Sequence, residues 1–118
     1  MASIEFSQIV QKKLGELQIK LVEIGGEKKG KERMAKVMSA VGNLELFPGA
    51  GIPIRVIYDV EPEFEKYYIL YAEKNYFIYY IENDVVYIAE MYDEREDIAA
   101  KFLGIHTILQ ETLDYWKE

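Results

Sequence analysis

The chain has 118 residues, half of them hydrophobic, with only three prolines and no cysteine. This length suits one domain with a single hydrophobic core, and the lack of cysteine excludes disulfide scaffolds, thiolate nucleophiles and cysteine-ligated zinc. No apolar run approaches the about 20 residues of a membrane span, and the N-terminus lacks the features of a secretory signal. We therefore predict a single cytoplasmic domain over residues 1–118.

The net charge of −7 is unevenly distributed. Residues 1–50 contain 8 Lys/Arg and 6 Asp/Glu, a balance of +2, whereas residues 51–118 contain 6 and 15, a balance of −9. An acidic surface repels phosphate backbones, whose binding depends on Lys and Arg displacing counterions. The charge therefore argues against direct nucleic-acid binding by the second half and favours a partner with a basic segment.

The first 25 residues predict a short strand and then a helix. Residues 4–6 alternate in polarity like an edge strand, and Ser7 is a favourable N-cap. Apolar residues then recur at helical spacing and end at Gly25-Gly26, which favours a helix stop. These residues are Val10, Leu14, Leu17, Leu21 and Ile24.

The next segment predicts a second amphipathic helix that folds back on the first. Residues 27–33 are charged and form the turn and the first helical turn. The apolar face follows and Pro48 stops the helix, so the two helices should form an antiparallel hairpin. Residues 49–65 are predicted to be a loop, with a possible short strand at 54–58. The apolar face comprises Met34, Val37, Met38, Val41 and Leu44.

Three tyrosine-rich runs follow, at residues 67–72, 76–81 and 85–91. The polar segments 73–75 and 82–84 between them have the length and residue types of hairpin turns. The pattern predicts an antiparallel meander, and the fold class is therefore α+β, a helical hairpin packed on an antiparallel sheet.

Both faces of this sheet are apolar or aromatic. One face must cover the helices, which leaves the face bearing Tyr76, Ile78 and Tyr80 in need of its own cover. From Asp97 onward, apolar residues recur at helical spacing and predict an additional amphipathic helix, an extension over residues 97–118. This helix would cover the sheet within the chain or pack on another subunit. Its apolar residues are Ile98, Phe102, Ile105, Leu109, Leu113 and Trp116.

Read in order, these segments resemble the RelE/ParE superfamily of toxins from bacterial type II toxin-antitoxin pairs, and the ParE-like branch more closely. The similarity extends over residues 4–103. In that superfamily a helical hairpin ends in a Leu-x-x-Phe-Pro-x-x-Gly signature, a strand similar to Asn-Tyr-Leu-Ile-Phe-Tyr follows, and a last strand leads into a basic turn and a short helix. The matching positions are Leu44, Phe47, Pro48 and Gly51, then residues 75–80, then Tyr92, Arg95 and Phe102.

The resemblance implies a growth-inhibiting toxin, of the kind associated with plasmid stabilisation, that a cognate antitoxin neutralises. ParE-like members bind and poison DNA gyrase, whereas RelE-like members cut mRNA with a cluster of basic residues and a proton-transfer group. Here Arg95 is flanked by acidic residues, and the sequence does not show Arg33, Arg55 and Arg95 converging. A protein-binding inhibitor is therefore favoured. The alternatives are an mRNA endoribonuclease and an inactive binding or dimerisation module, which would form a homodimer.

The candidate site residues follow from both interpretations. Tyr92 and Arg95 are the catalytic candidates; the alternative for Arg95, which the sequence favours, is a solvated ion pair with its acidic neighbours. The lone His106 has no metal-ligand partner at a useful spacing, and neither a metal nor a cofactor is expected. Partner-binding candidates are Tyr76, Tyr80, Tyr92, Arg95, Ile105, Leu109 and Trp116.

Overall fold

The structure is a computed structural model that describes residues 2–104. Over these residues the chain is α+β, with a long N-terminal helical segment on a five-stranded mixed sheet. Strand order is β1-β5-β4-β3-β2, where the strands are β1 Ser3–Phe6, β2 Ile52–Pro53, β3 Tyr68–Ala72, β4 Asn75–Glu82 and β5 Val85–Asp93. The helices are α1 Gln8–Gly42, α2 Ile54–Ile57 and α3 Ile98–Lys101.

The N-terminal strand and helix begin as the sequence predicts. β1 is an edge strand that pairs in parallel with β5. Ser7 caps α1, because its hydroxyl oxygen accepts a hydrogen bond from the Val10 backbone N–H at 3.2 Å. The same hydroxyl donates to the Ala89 carbonyl oxygen at 3.0 Å, so the start of α1 is fixed directly to β5.

The helical segment α1 is interrupted at Gly26. This residue has φ 87° and ψ 168°, a backbone conformation that is essentially restricted to glycine. A Cβ atom on Gly30 would lie 2.7 Å from the Val22 Cα, although eight residues along a continuous helix span about 12 Å. Gly26 therefore interrupts α1 between Val22 and Gly30, and the absence of a side chain at Gly30 permits their close approach.

One core lies between α1 and the sheet. Val10, Val37 and Val41 from the helical segment are buried against strand residues such as Phe77 and Tyr79. Ile24 and Met38, which the helical spacing places on the apolar faces, are instead exposed.

The three tyrosine-rich runs form the predicted meander, with tighter turns than the sequence indicated. Ala72 pairs with Asn75 and Glu82 with Val85, so each turn has only two central residues. Glu73 and Lys74 in the first turn, like their counterparts in the second, have positive φ. This geometry matches the right-handed twist of the flanking strands.

The second face of the sheet carries its own core. Ile78 and Tyr92 from the strands are buried with Ile54, Ile98 and Leu103. The start of the predicted C-terminal extension thus covers this face, with Asp97 accepting the capping hydrogen bond from the Ala100 N–H at 3.2 Å. Tyr58, Val60 and Phe64, from the segment 49–65 that was predicted to be a loop, contribute the rest of the cover together with Tyr67, which directly precedes β3.

The expectation of a strand at residues 54–58 was wrong. The pairing segment is Ile52–Pro53, and Ile54–Ile57 forms one helical turn, closed by the hydrogen bond from the Tyr58 N–H to the Ile54 carbonyl at 2.9 Å. The β-branched residues favour a strand, but burial of Ile54 in the second core determines the local conformation.

The segment after α1 is attached to the sheet by Tyr79. Its hydroxyl donates to the Pro48 carbonyl at 2.7 Å and accepts from the Gly51 N–H at 2.9 Å. A Cβ on Gly51 would lie 2.7 Å from that hydroxyl oxygen and 2.9 Å from the Ile69 carbonyl oxygen. The Pro48 and Gly51 positions of the signature therefore form the docking point of this segment.

Candidate functional site

β5 ends in a turn in which carboxylates accept hydrogen bonds from backbone N–H groups. The Asp93 side chain accepts from the Arg95 N–H at 2.9 Å, while the Asp93 N–H donates to the Glu96 carboxylate at 2.8 Å. Glu96 also pairs with Lys101 at 2.7 Å, and the Lys101 interaction is the main reason that its pKa is lowered. The acidic residues around Arg95 thus have structural roles in this turn.

Arg95 lies on the surface, where 79% of its side chain is exposed. Its Nε donates to the Asp93 carboxylate at 3.0 Å. The pKa of Asp93 is lowered, chiefly by the Arg95 backbone N–H and then by its side chain. Only Nε of the guanidinium is bonded within the described residues, so its terminal nitrogens can reach a ligand.

Tyr92 is buried, with 7% of its surface exposed. Burial, with smaller effects from Glu90 and Glu96, raises the pKa of its phenol to about 12. The phenol therefore stays protonated at neutral pH and is a poor proton donor or acceptor for catalysis. Tyr92 fits the role of a packed aromatic residue better than that of a general acid.

Lys13 connects α1 with the end of β5. Its ammonium group donates to the Glu90 carboxylate at 2.7 Å and to the Met91 carbonyl at 2.9 Å, and lies 4.6 Å from the centroid of the Tyr92 ring. The Lys13 side chain is 30% exposed and that of Glu90 19%. No local sequence pattern indicates this pair, because the two residues are 77 positions apart.

A cleft of about 450 Å³ lies between α1 and this end of the sheet. Its apolar lining includes Leu17, Leu21 and Ile24, and the turn after β3 and the Asp93–Arg95 segment complete it. A second hollow of about 230 Å³ shares several lining residues with it and adds Lys13 and Tyr92. The structure thus brings Tyr92 and Arg95 to adjoining hollows.

Two of the three arginines converge here, although the sequence did not show it. Arg33 and Arg95 line the cleft together with Lys20 and Lys74, whereas Arg55 belongs to α2 and is not among the lining residues. Lys20 and Arg33 were not site candidates. They lie on either side of the break at Gly26, and this break allows both residues to line one cleft.

The cleft has mixed charge. Glu73, Asp93 and Glu94 line it beside the four cationic residues, and Glu94 accepts from the Tyr71 hydroxyl at 2.6 Å. A phosphodiester placed here would meet carboxylates as well as cations. A cleft with an apolar wall and both signs of charge is better suited to a protein segment.

Tyr76 and Tyr80 lie away from this cleft. Tyr76 packs 5.3 Å from Tyr71 and lines a separate hollow of about 320 Å³ that Ile98 also lines. Tyr80 lies between the rings of Tyr67 and Tyr87. The remaining candidates Ile105, Leu109 and Trp116, like Leu113 and His106, lie outside the described residues.

Residues 2–104 contain no group of three or more His, Asp or Glu side chains placed to hold a metal ion. In the same part of the chain, no helix combines the length and the apolar character required to cross a membrane.

Comparison with known proteins identifies the fold. Neither a protein-family model nor a curated protein matches the sequence. A chain of the solved structure described as "Chromosomal ParDE TA system from P. aeruginosa" matches with a TM-score of 0.62 and 18% sequence identity, covering 79% of this chain and 96% of that chain. This chain therefore shares its fold with a chain of that ParDE system. At 18% identity, the similarity shows the fold and not the activity.

Proposed function

We propose that this protein is the toxin component of a bacterial type II toxin-antitoxin pair. In this proposal it binds and inhibits a cytoplasmic protein target such as DNA gyrase, and a cognate antitoxin neutralises it. The single observation that carries the proposal is the fold match over 96% of a chain from a ParDE system. The ordered motifs from Leu44 to Phe102 support it independently.

The predicted helical hairpin and the predicted domain bounds are part of the same proposal. The break at Gly26 and the close approach of Val22 to Gly30 support two antiparallel arms, and therefore the helical hairpin expected for this superfamily. We also infer that residues 1–118 form one domain, with residues 97–118 as an extension that begins at the Asp97 cap.

Inhibition by binding is favoured over mRNA cleavage on electrostatic grounds. Transition-state stabilisation in phosphoryl transfer requires concentrated positive charge, whereas this cleft contains three carboxylates beside its four cations. The high pKa of Tyr92 makes it a weak proton-transfer group. Arg95, with its terminal nitrogens facing solvent, is better placed to contact a protein target.

The antitoxin has several apolar surfaces available to it. Phe47 is 66% exposed and Val56 70% exposed, and Ile52 on the edge strand β2 is also exposed. We infer that these exposed apolar residues contribute to the antitoxin-binding surface. We include Tyr76 and Tyr80 among the partner-binding residues, and Ile105, Leu109 and Trp116 remain candidates.

A paired assay separates the proposed activity from the alternatives. Purified protein is added to DNA gyrase in a supercoiling reaction and, in parallel, to ribosomes translating a defined mRNA. We expect supercoiling to be inhibited and the mRNA to stay intact, because the protein would act by binding.

The other outcomes of this assay would support one of the alternative functions. Cleaved mRNA would establish the endoribonuclease, which the convergence of Arg33 and Arg95 favours. Intact mRNA with unimpaired gyrase would contradict gyrase as the target. If the protein also showed twice the mass of one chain in solution, the inactive dimerisation module would be the better account.

A further inference from the structure

A row of side chains crosses the face of the sheet that points away from α1. Ile4 and Phe6 on β1 pack in the α1-side core, as do Val86 and Ile88 on β5. Because side chains alternate along a strand, the intervening residues Glu5 and Tyr87 point to the opposite face.

The members of this row are direct neighbours across the strands. Glu5 is paired with Tyr87, and Tyr87 with Tyr80. The Tyr80 and Tyr87 rings stack with centroids 5.1 Å apart and an angle of 20°, and Tyr67 meets Tyr80 edge-on at 5.4 Å. The row therefore runs from a carboxylate on the edge strand β1 through three aromatic rings.

One end of this row already holds a cation. The Lys66 ammonium lies 4.4 Å from the Tyr80 ring centroid and 5.4 Å from that of Tyr67. These distances are within the range of a favourable cation–π interaction. The aromatic faces of the row thus accept a positive charge within this protein.

The other end is acidic and has no cation among the described residues. Tyr80 covers one face of the Tyr87 ring, and the other face is directed toward Glu5 and the open edge of the sheet. Glu82 lies two residues after Tyr80 on the same strand face. Neither Glu5 nor Glu82 forms an ion pair within residues 2–104.

The charges of both carboxylates reach the phenol of Tyr87. Burial raises the pKa of Tyr87 most, followed in order by the charges of Glu5 and Glu82 and by Tyr80. A hollow of about 250 Å³, lined by Glu5, Tyr80 and Tyr87 among others, adjoins the ring. An aromatic face, the unpaired Glu5 carboxylate and a hollow therefore meet at one edge of the sheet, and the charge of Glu82 acts on the same ring.

We propose that Tyr87, Glu5 and Glu82 form a subsite for an arginine or lysine side chain from a basic segment of a partner protein. The cation lies over the free face of Tyr87 and pairs with the carboxylates, as Lys66 lies over Tyr80 at the other end of the row. The balance of −9 in residues 51–118 attracts such a segment over a longer range. This inference does not depend on the protein being a toxin.

The test is an NMR titration of the full chain with a capped Gly-Arg-Gly peptide. The neutral control peptide has citrulline, which has nearly the shape of arginine, in its place. We expect saturable shifts at the Tyr87 ring and the Glu5 amide with the arginine peptide alone. The Glu5→Gln and Tyr87→Leu variants should each weaken the affinity by about two- to fivefold, as an exposed cation–π or ion-pair contact implies.

The matched control is Glu63→Gln, which removes one exposed carboxylate from another part of the surface and should leave the affinity unchanged. If Tyr87→Leu does not fold, Glu5→Gln decides, because Glu5 is exposed and its substitution keeps the shape. Equal affinity in wild type and Glu5→Gln, or no saturable shift at Tyr87, would overturn the subsite. The row would then serve only to pack the sheet.

Discussion

At the scale of single residues, Tyr79 links the segment after α1 to the sheet. Its fully buried ring stacks on Tyr68 at 5.2 Å, and its hydroxyl bonds both to Pro48 and to Gly51. The sequence motif identified Pro48 and Gly51 but not the tyrosine they bind. That contact spans about 30 residues, so no local pattern could predict it.

Replacing Tyr79 with Phe should lower the free energy of unfolding by about 1–3 kcal/mol. The substitution leaves the part-buried Pro48 carbonyl and Gly51 N–H without their hydrogen-bond partner, and unsatisfied polar groups that are shielded from water are costly. The control is Tyr68→Phe, because the Tyr68 hydroxyl forms no hydrogen bond to another described residue in this structure. Urea denaturation of both variants measures the difference, and equal stability would show that the Tyr79 hydrogen bonds contribute little.

A second prediction concerns pH and Tyr92. Because the pKa of this phenol is raised from 10.0 to about 12 in the folded protein, its contribution to stability is complete below pH 10 and is lost as pH rises through 12. The free energy of unfolding should therefore fall less for Tyr92→Phe than for wild type between pH 8 and pH 11.5, and the difference between the two losses should be about 1–2 kcal/mol. Urea unfolding at both pH values tests this, and parallel losses in the two proteins would contradict it.

At the scale of elements, the sequence predicted what depends on local pattern. The alternation of apolar and polar residues predicted β1, and the tyrosine-rich runs predicted the meander. Ser7 and Asp97 are the N-caps that the sequence predicted, and Gly25-Gly26 indicated the break in α1. It misassigned Ile54–Ile57, because a β-branched run reads as a strand until the second core that buries it is known. The candidate site was harder to predict than the fold, because Lys13 and Glu90 come into contact only in the folded chain.

Two glycines in α1 provide a matched test of the close approach between its arms. A Cβ at Gly30 would lie 2.7 Å from the Val22 backbone, whereas a Cβ at Gly15 has no neighbour within 4 Å. Gly30→Ala should destabilise the protein by about 1–3 kcal/mol through overpacking. Gly15→Ala should stabilise it by up to about 1 kcal/mol, because alanine is the better helix former.

Thermal unfolding of the two variants distinguishes the packed arrangement from a continuous helix. In a continuous helix, both substitutions would raise stability alike. An increase in stability for Gly30→Ala would therefore contradict the close approach of the two arms.

At the scale of the whole molecule, charge and apolar surface are distributed in a way that suits protein partners. The cleft that holds Arg33 and Arg95 also holds carboxylates and an apolar wall, and the opposite face carries the tyrosine row bordered by Glu5 and Glu82. These two surfaces lie on different parts of the sheet. The target proposed for the cleft and the basic segment proposed for the tyrosine row would therefore bind different surfaces.

The most direct test of the proposed function is growth after induction of this protein alone in a bacterial host. Colony-forming units are followed for wild type, for Arg95→Ala and for the control Arg55→Ala, an exposed arginine that does not line the cleft. We expect growth arrest with wild type and Arg55→Ala, and relief of the arrest with Arg95→Ala. Unimpaired growth at confirmed soluble expression of wild type would contradict an active toxin and favour the inactive binding module.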